Sequence, residues 1–181
     1  MVILRPTAKL RGVLSATDLG TATSDTALGD WYANRIVVSR QPLLLLASSA
    51  SLLAVLLPAR DVRNLPAALP SLVEARLKRL GIEDSVINAE IRAMRPVKIA
   101  ATVDRSVLGI MVDFAKSIPY FVGASFPDAA WLQLVEGHLA ENPCFAGSSA
   151  RVMFAFERAP ELLRKKWLVQ TGQDYGPAKA R

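Results

Sequence analysis

Between Arg40 and Arg60 the chain runs 19 residues without a charge, from Gln41 to Ala59, and this stretch limits what the whole can fold into. About 20 mostly apolar residues suffice for a transmembrane helix, so length alone admits a membrane span. The interior texture argues for something else. Ser48-Ser49-Ala50-Ser51 divides two apolar runs, Leu43 to Ala47 and Leu52 to Leu57, each as long as a buried strand bounded by turn residues. Pro42 and Pro58 bracket the pair. A meander of a soluble protein is expected here, and no membrane span. Arg5 and Lys9 follow Met1 to Leu4 at once, without the apolar core of a signal peptide, so the expected location is cytoplasmic.

Composition agrees with a folded chain. Of 181 residues, 51% are hydrophobic and 21% charged, which argues against intrinsic disorder. The mean hydropathy of +0.27 owes much to the 41–59 segment. The length suits one domain whose core needs no disulfide. The single cysteine, Cys144, leaves no internal disulfide and no cysteine-rich zinc site. The single histidine, His138, leaves no paired-histidine metal motif, and nothing in the chain requires a cofactor.

Val2 to Leu4 reads as a short strand, Thr7 as the cap of a brief helix through Leu14, and residues 15–29 as a polar loop. From Asp30 the β-formers Trp31, Tyr32, Ile36, Val37 and Val38 indicate a strand. With the two apolar runs it makes three successive strands, antiparallel because their links are too short for crossovers. Helical spacing then governs Leu69 to Leu80, with Pro70 in a first turn and Gly81 as the stop. A second helix carries Val86 to Met94 and ends at Arg95-Pro96, and a strand is expected over Val97 to Thr102. Asp104 or Thr102 caps a helix running to Ile118, and Pro127-Asp128 opens another that ends at Asn142-Pro143. A strand over 151–156 and a helix from Pro160 to Val169 complete the chain. Strands before helices indicate an α+β fold, a mostly antiparallel sheet of about four to six strands packed by about five helices. One α+β domain is expected over 1–171, with a flexible basic tail over 172–181.

The net charge of +6 is uneven, for 151–181 carries a surplus of +4 while 128–141 carries −3. The densest cluster is Arg164-Lys165-Lys166-Trp167. Cations beside an aromatic can contact phosphates while the ring stacks on a base. They equally suit the solvated end of a helix, where the dipole favours positive charge. No nucleic-acid-binding motif accompanies the cluster.

The chain contains no G-x-G-x-x-G, G-x-x-x-x-G-K-[ST] or G-x-S-x-G, so dinucleotide, P-loop and hydrolase-elbow signals are missing. Cys144 follows His138 by six residues, with Asn142 between them. That spacing allows a nucleophilic Cys–His pair, against the simpler reading of a small buried thiol and a helix-boundary histidine. Two segments concentrate polar residues around apolar ones, Leu28 to Arg35 and Asp104 to Phe114. Strand alternation sends Trp31, Ala33 and Arg35 to one face and Tyr32 and Asn34 to the other. Helical spacing puts Ser106, Gly109 and Asp113 on one side of their helix. Gly109 costs about 1 kcal/mol relative to Ala in a helix interior, which predicts a close backbone approach there. The packing reading has Gly109 pressing on the sheet and Asp113 pairing with Arg35 or Arg105. The functional reading is a polar pocket formed by Trp31, Asn34, Arg35, Arg105, Ser106 and Asp113.

These two segments also carry a resemblance. L-G-D-W-Y-A-N at 28–34 and R-S-V-L-G-x-M-x-D-F at 105–114 resemble signature stretches of a bacterial family known as a domain of unknown function. The resemblance extends over roughly residues 1–145, and Glu141 to Cys144 is similar to an N/T-P-C stretch of the same family. It implies a soluble bacterial protein and a shared pocket, without a mechanism. The basic end from Arg151 is less typical of it.

The missing catalytic constellations and the basic pI near 9.8 together lead to an expected function. It is a non-catalytic binding or regulatory module for a protein or nucleic-acid partner. The alternative is a small-molecule binder or enzyme using the pocket between the 30–38 strand and the 104–118 helix.

Overall fold

The uncharged stretch forms two antiparallel strands, one inside and one at the edge of a five-stranded sheet. In the computed structural model the described residues are 1–14, 22–60, 62–123, 126–145 and 152–171, with side chains to 168. Their strands are β1 (Val2–Pro6), β2 (Trp31–Val38), β3 (Gln41–Ser48), β4 (Ala54–Pro58) and β5 (Val97–Ile99). Their helices are α1 (Ala8–Arg11), α2 (Leu65–Arg79), α3 (Asp84–Ala93), α4 (Arg105–Ser117), α5 (Ala129–Glu141) and α6 (Ala155–Thr171). The tail expected to be flexible, 172–181, lies outside the described residues.

The sheet order is β4-β3-β2-β1-β5. Strands β2, β3 and β4 make the expected antiparallel meander, registered Val38↔Gln41 to Trp31↔Ser48 and Leu43↔Pro58 to Ala47↔Ala54. β1, however, runs parallel to both β2 and β5, so the sheet is mixed rather than purely antiparallel. Connection length is the physical reason. Residues 7–30 and 59–96 are long enough for crossovers that short hairpin links cannot make.

Helices cover both faces of the sheet. One face packs Leu44, Leu46 and Val55 against Leu10 of α1, Leu69, Val73 and Leu77 of α2, Ile87 of α3 and Leu163 of α6. The other packs Leu43, Leu45 and Leu56 against Val107, Met111 and Phe114 of α4 and Trp131 and Val135 of α5. A strand buried on both sides has no polar face to alternate with, which explains the unbroken run Leu43 to Ala47. The serines between the runs are a turn, not a flaw in a span. Ser48 and Ser51 share a hydroxyl hydrogen bond of 2.6 Å, and the amides of Ser51 and Leu53 donate to their hydroxyls at 3.2 and 3.3 Å.

The free edge of β4 is closed by side chains. The Leu56 amide donates to Glu136 of α5 at 2.8 Å, and Arg76 of α2 donates to the Ala54 carbonyl at 3.3 Å. Arg79 pairs with the same buried Glu136 at 2.6 Å.

Several boundaries differ from the sequence expectation. α2 starts at Leu65 with Pro66 in its first turn, so Pro70 lies inside the helix. α6 starts at Ala155 and likewise contains Pro160. The strand expected over 151–156 reduces, among the described residues, to one bridge between Met153 and Cys144. The strand expected to reach Thr102 stops at Ile99.

Candidate functional site

Most of the segment Leu28 to Asn34 is engaged in holding the fold. Leu28 is buried and its amide donates to Glu90 at 3.1 Å. Gly29 has φ +73, and a Cβ there would stand 2.5 Å from the Ser49 hydroxyl. Asp30 pairs with the buried Arg5 and accepts the Ser24 hydroxyl at 2.6 Å, while its amide donates to Ser49 at 2.9 Å. Arg5 also donates to the carbonyls of Ala101, at 2.6 Å, and Ala22, at 3.2 Å. Trp31 is buried on the face that packs α2 and α3, whereas α4 packs on the opposite face. The hydroxyl of Tyr32 accepts the Asp104 amide at 3.0 Å, and the Thr7 hydroxyl donates to Asn34 at 3.0 Å.

The α4 segment divides between cap, core and surface. Asp104 caps the helix by accepting the Ser106 amide and hydroxyl at 2.8 and 2.6 Å. The Ser106 hydroxyl, helped by the Ser106 and Val107 amides, holds the Asp104 carboxyl below its ordinary value. Val107, Met111 and Phe114 enter the core. Arg105 is exposed. Asp113 pairs with Lys116 at 3.4 Å, rather than with Arg35 or Arg105 as expected. Gly109 is exposed, and nothing lies within 4 Å of a Cβ built on it, so the expected close approach is missing.

The residues expected to share one pocket therefore separate. Trp31 is in the opposite core and Ser106 is spent on the cap. Asp113 faces a depression of about 290 Å³ with Ile110, Phe114, Asn142, Pro143, Cys144 and Phe145. Cys144 is buried there, with Sγ 3.5 Å from the Asn142 carbonyl. Burial pushes its thiol up, and the charge of Asp113 adds to that. His138 instead stacks on Phe121, ring centroids 4.6 Å apart, so the suggested Cys–His pair does not form. A protonated, inward thiol is a poor nucleophile.

The basic cluster also divides. Trp167 is partly buried and its indole donates to Glu90 at 2.8 Å. Lys166 donates to the Asp25 carbonyl at 2.6 Å and lies over the Trp167 ring at 5.2 Å. These two residues fasten α6 to the molecule. Arg164 and Lys165 are left facing solvent. The ring that would stack on a base is turned inward.

Asn34 and Arg35 do reach a cavity. β1 pairs with β2 only over Trp31 to Ala33, while β3 pairs with it as far as Val38, so Asn34 to Val38 overhang β1. A groove of about 540 Å³ follows that overhang, lined by Lys9, Asn34 to Val37, Val112, Ala115 and Lys116. Four consecutive strand residues line it. A sheet face shows only alternate residues, so the groove runs along the backbone edge of β2. Its walls are α1 at one end and α4 along one side, its rim is cationic, and Val37 and Val112 are 63% and 48% exposed. Of the expected pocket residues it keeps Asn34 and Arg35. Lys9, Val37, Val112 and Lys116 are additions the sequence reading missed. The available signal was the length mismatch between the short β1 and the longer β2. Among the described residues no cluster of three His, Cys, Asp or Glu side chains could hold a metal ion, and no helix is long and apolar enough to cross a membrane.

A family model described as a domain of unknown function (DUF6933) matches residues 3–154. No curated protein matches the chain. The matched span includes all of the sheet but Val2, and the whole groove, and it stops before α6 and its basic cluster.

Proposed function

This chain belongs to the family of that domain of unknown function (DUF6933), and on that premise we propose that it is a non-catalytic binding or regulatory module. Its ligand occupies the groove between β2 and α4. One observation carries this reading. The overhanging edge of β2 is bordered by the exposed apolar side chains Val37 and Val112 and by the cations Lys9, Arg35 and Lys116. Exposed apolar surface ringed by charge of one sign favours an anionic partner with some apolar character. The inward thiol of Cys144 and the separation of the polar residues of α4 both weigh toward binding over chemistry. A protein partner is favoured over nucleic acid, because Trp167 and Lys166 are committed to fastening α6. A cytoplasmic location is part of the same proposal.

The test is a titration of ¹⁵N-labelled protein with acetate, succinate and glutarate, followed by amide and side-chain NMR. Shifts are expected to gather at Asn34 to Val37, Val112 and Lys116, and to be lost in Arg35→Glu. Shifts that gather around Arg164 and Lys165, or salt-sensitive retardation of DNA or RNA in a gel, would overturn the assignment.

A further inference from the structure

The backbone of the groove says more than its side chains do. Ser39 and Arg40, with φ 44 and 68, form the two-residue turn that joins β2 to β3, and Val38 and Gln41 flank it. The flanking pair of such a turn exchanges hydrogen bonds, and the pattern alternates from there. Val38, Ile36 and Asn34 therefore direct their peptide groups at β3, whereas Val37, Arg35 and Ala33 direct theirs away from it. Ala33 uses this direction, since its carbonyl accepts the Thr7 amide at 2.9 Å. Arg35 and Val37 lie beyond the end of β1, and among the described residues no strand pairs with them on that side.

The other edges of the sheet differ. β4 is closed by Glu136 and Arg76, and β5 is three residues long. Capped or very short edges are the usual means of preventing unwanted strand pairing. The β2 overhang lacks both. It has instead a groove of about 540 Å³ with α4 as one wall.

We infer that the free edge of β2 accepts an extended acidic peptide, added as a further strand between α1 and α4. This rests on the binding-module reading and names its partner. Asn34 to Val38 offer about 16 Å of edge at the usual strand rise. Strand addition draws affinity from main-chain hydrogen bonds and selectivity from alternate side chains. Peptide side chains on the α4 side would meet Val112 and Ala115, which suit small apolar residues. Those on the other face would lie beside Arg35 and Val37, which alternation places together. With Lys9 and Lys116 also lining the groove, acidic residues at those positions complement the charge. The acidic Asp113 pairs with Lys116 of this lining at 3.4 Å.

The probe is a capped, fluorescein-labelled heptapeptide alternating glutamate and valine, with binding followed by fluorescence anisotropy. Two further versions carry N-methyl groups at every second residue, in opposite phases. In a strand ladder only one phase faces β2, so one version should bind about tenfold more weakly and the other as tightly as the parent. Equal loss in both phases, or loss in neither, would overturn strand addition. Val37→Pro removes an outward amide without touching the β2–β3 ladder, and it should weaken the parent peptide comparably while leaving the thermal melt unchanged. Because the methylated peptides leave the protein unaltered, a misfolded Val37→Pro would not blunt the test. If the peptide fails while succinate still shifts Arg35 and Lys116, strand addition falls and the binding-site reading stands. If neither acts, both fall. Displacement of the peptide by a single-stranded oligonucleotide at lower concentration would assign the edge to nucleic acid and overturn the peptide.

Discussion

Two glycines separate what packing requires from what it leaves free. Gly29 has a left-handed backbone and faces the Ser49 hydroxyl, so its side-chain hydrogen is built into the turn between β3 and β4. Gly29→Ala is expected to cost about 2 kcal/mol in urea unfolding, combining conformational strain with displacement of the serine. Gly109 is exposed on α4 with open space where a Cβ would go. Gly109→Ala should instead raise stability by about 0.5–1 kcal/mol in the same measurement. A destabilised Gly109→Ala would show that something outside the described residues approaches α4. In sequence the two glycines look alike, each inside a motif rich in polar and apolar residues. Only the positive φ and the neighbour distinguish them.

At the scale of elements, β4 and the β2–β3 hairpin show how local patterns meet distant partners. Glu136 is 2% exposed and satisfies the Leu56 amide, Arg79 and the closely placed Arg76 at once. Glu136→Ala would leave the Leu56 amide and Arg79 without their acceptor and the buried Arg76 without its counter-charge. A loss of about 3–5 kcal/mol is expected in chemical denaturation, and a loss below 1 would mean water replaces the carboxylate without difficulty. The hairpin turn carries left-handed residues of the wrong type, Ser39 and Arg40. Replacing them by Asn and Gly should raise the melting temperature, with a gain of about 1 kcal/mol. The meander itself was legible, because Leu43 to Ala47 and Leu52 to Leu57 are strand-length apolar runs around a serine turn. The starts of α4 and α5 were legible too: of the two caps the sequence offers for α4, Asp104 is the one used, and Asp128 of the Pro127-Asp128 opening caps α5. Strand direction was not. β1 and β5 carry no mark of being parallel, as direction depends on how the intervening chain crosses the sheet.

For the molecule as a whole, Glu90 is the point where separate segments meet. Its carboxylate, from α3, accepts the amides of Ala27 and Leu28 at 2.8 and 3.1 Å and the Trp167 indole of α6 at 2.8 Å. Burial pushes its pKa above the ordinary 4.5, against the opposing pull of those donors and Lys166. A carboxyl with a higher pKa folded than unfolded takes up a proton on folding. Stability from this group therefore rises as pH falls from Glu90's folded value toward 4.5, and is lost as pH climbs back through that folded value. Measured by denaturation at neutral and mildly acidic pH, the stability of the wild type relative to Glu90→Gln should increase on acidification. A difference that stays level would show that Glu90 is equally ionised in both states. The net charge of +6 also changes meaning at this scale. Lys166 is drawn into a carbonyl contact, and Lys9, Arg35 and Lys116 gather at one groove although they lie far apart in the chain.

The sequence by itself determined the elements that local physics controls. Apolar runs became strands, helical spacing became helices, and a lone cysteine and histidine ruled out an internal disulfide, a cysteine-rich zinc site and a paired-histidine motif. It also marked the two segments that mix polar and apolar residues, though not their roles. The tertiary structure decided which side of the sheet each element covers. That choice buried Trp31 away from α4, turned Trp167 inward, and left Asn34 and Arg35 on an open edge. These outcomes depend on contacts between residues distant in sequence, where burial and charge pairing are settled by the crossing of the chain and not by periodicity. The groove exists because β2 outlasts β1 beside a helix that returns some seventy residues later in the chain.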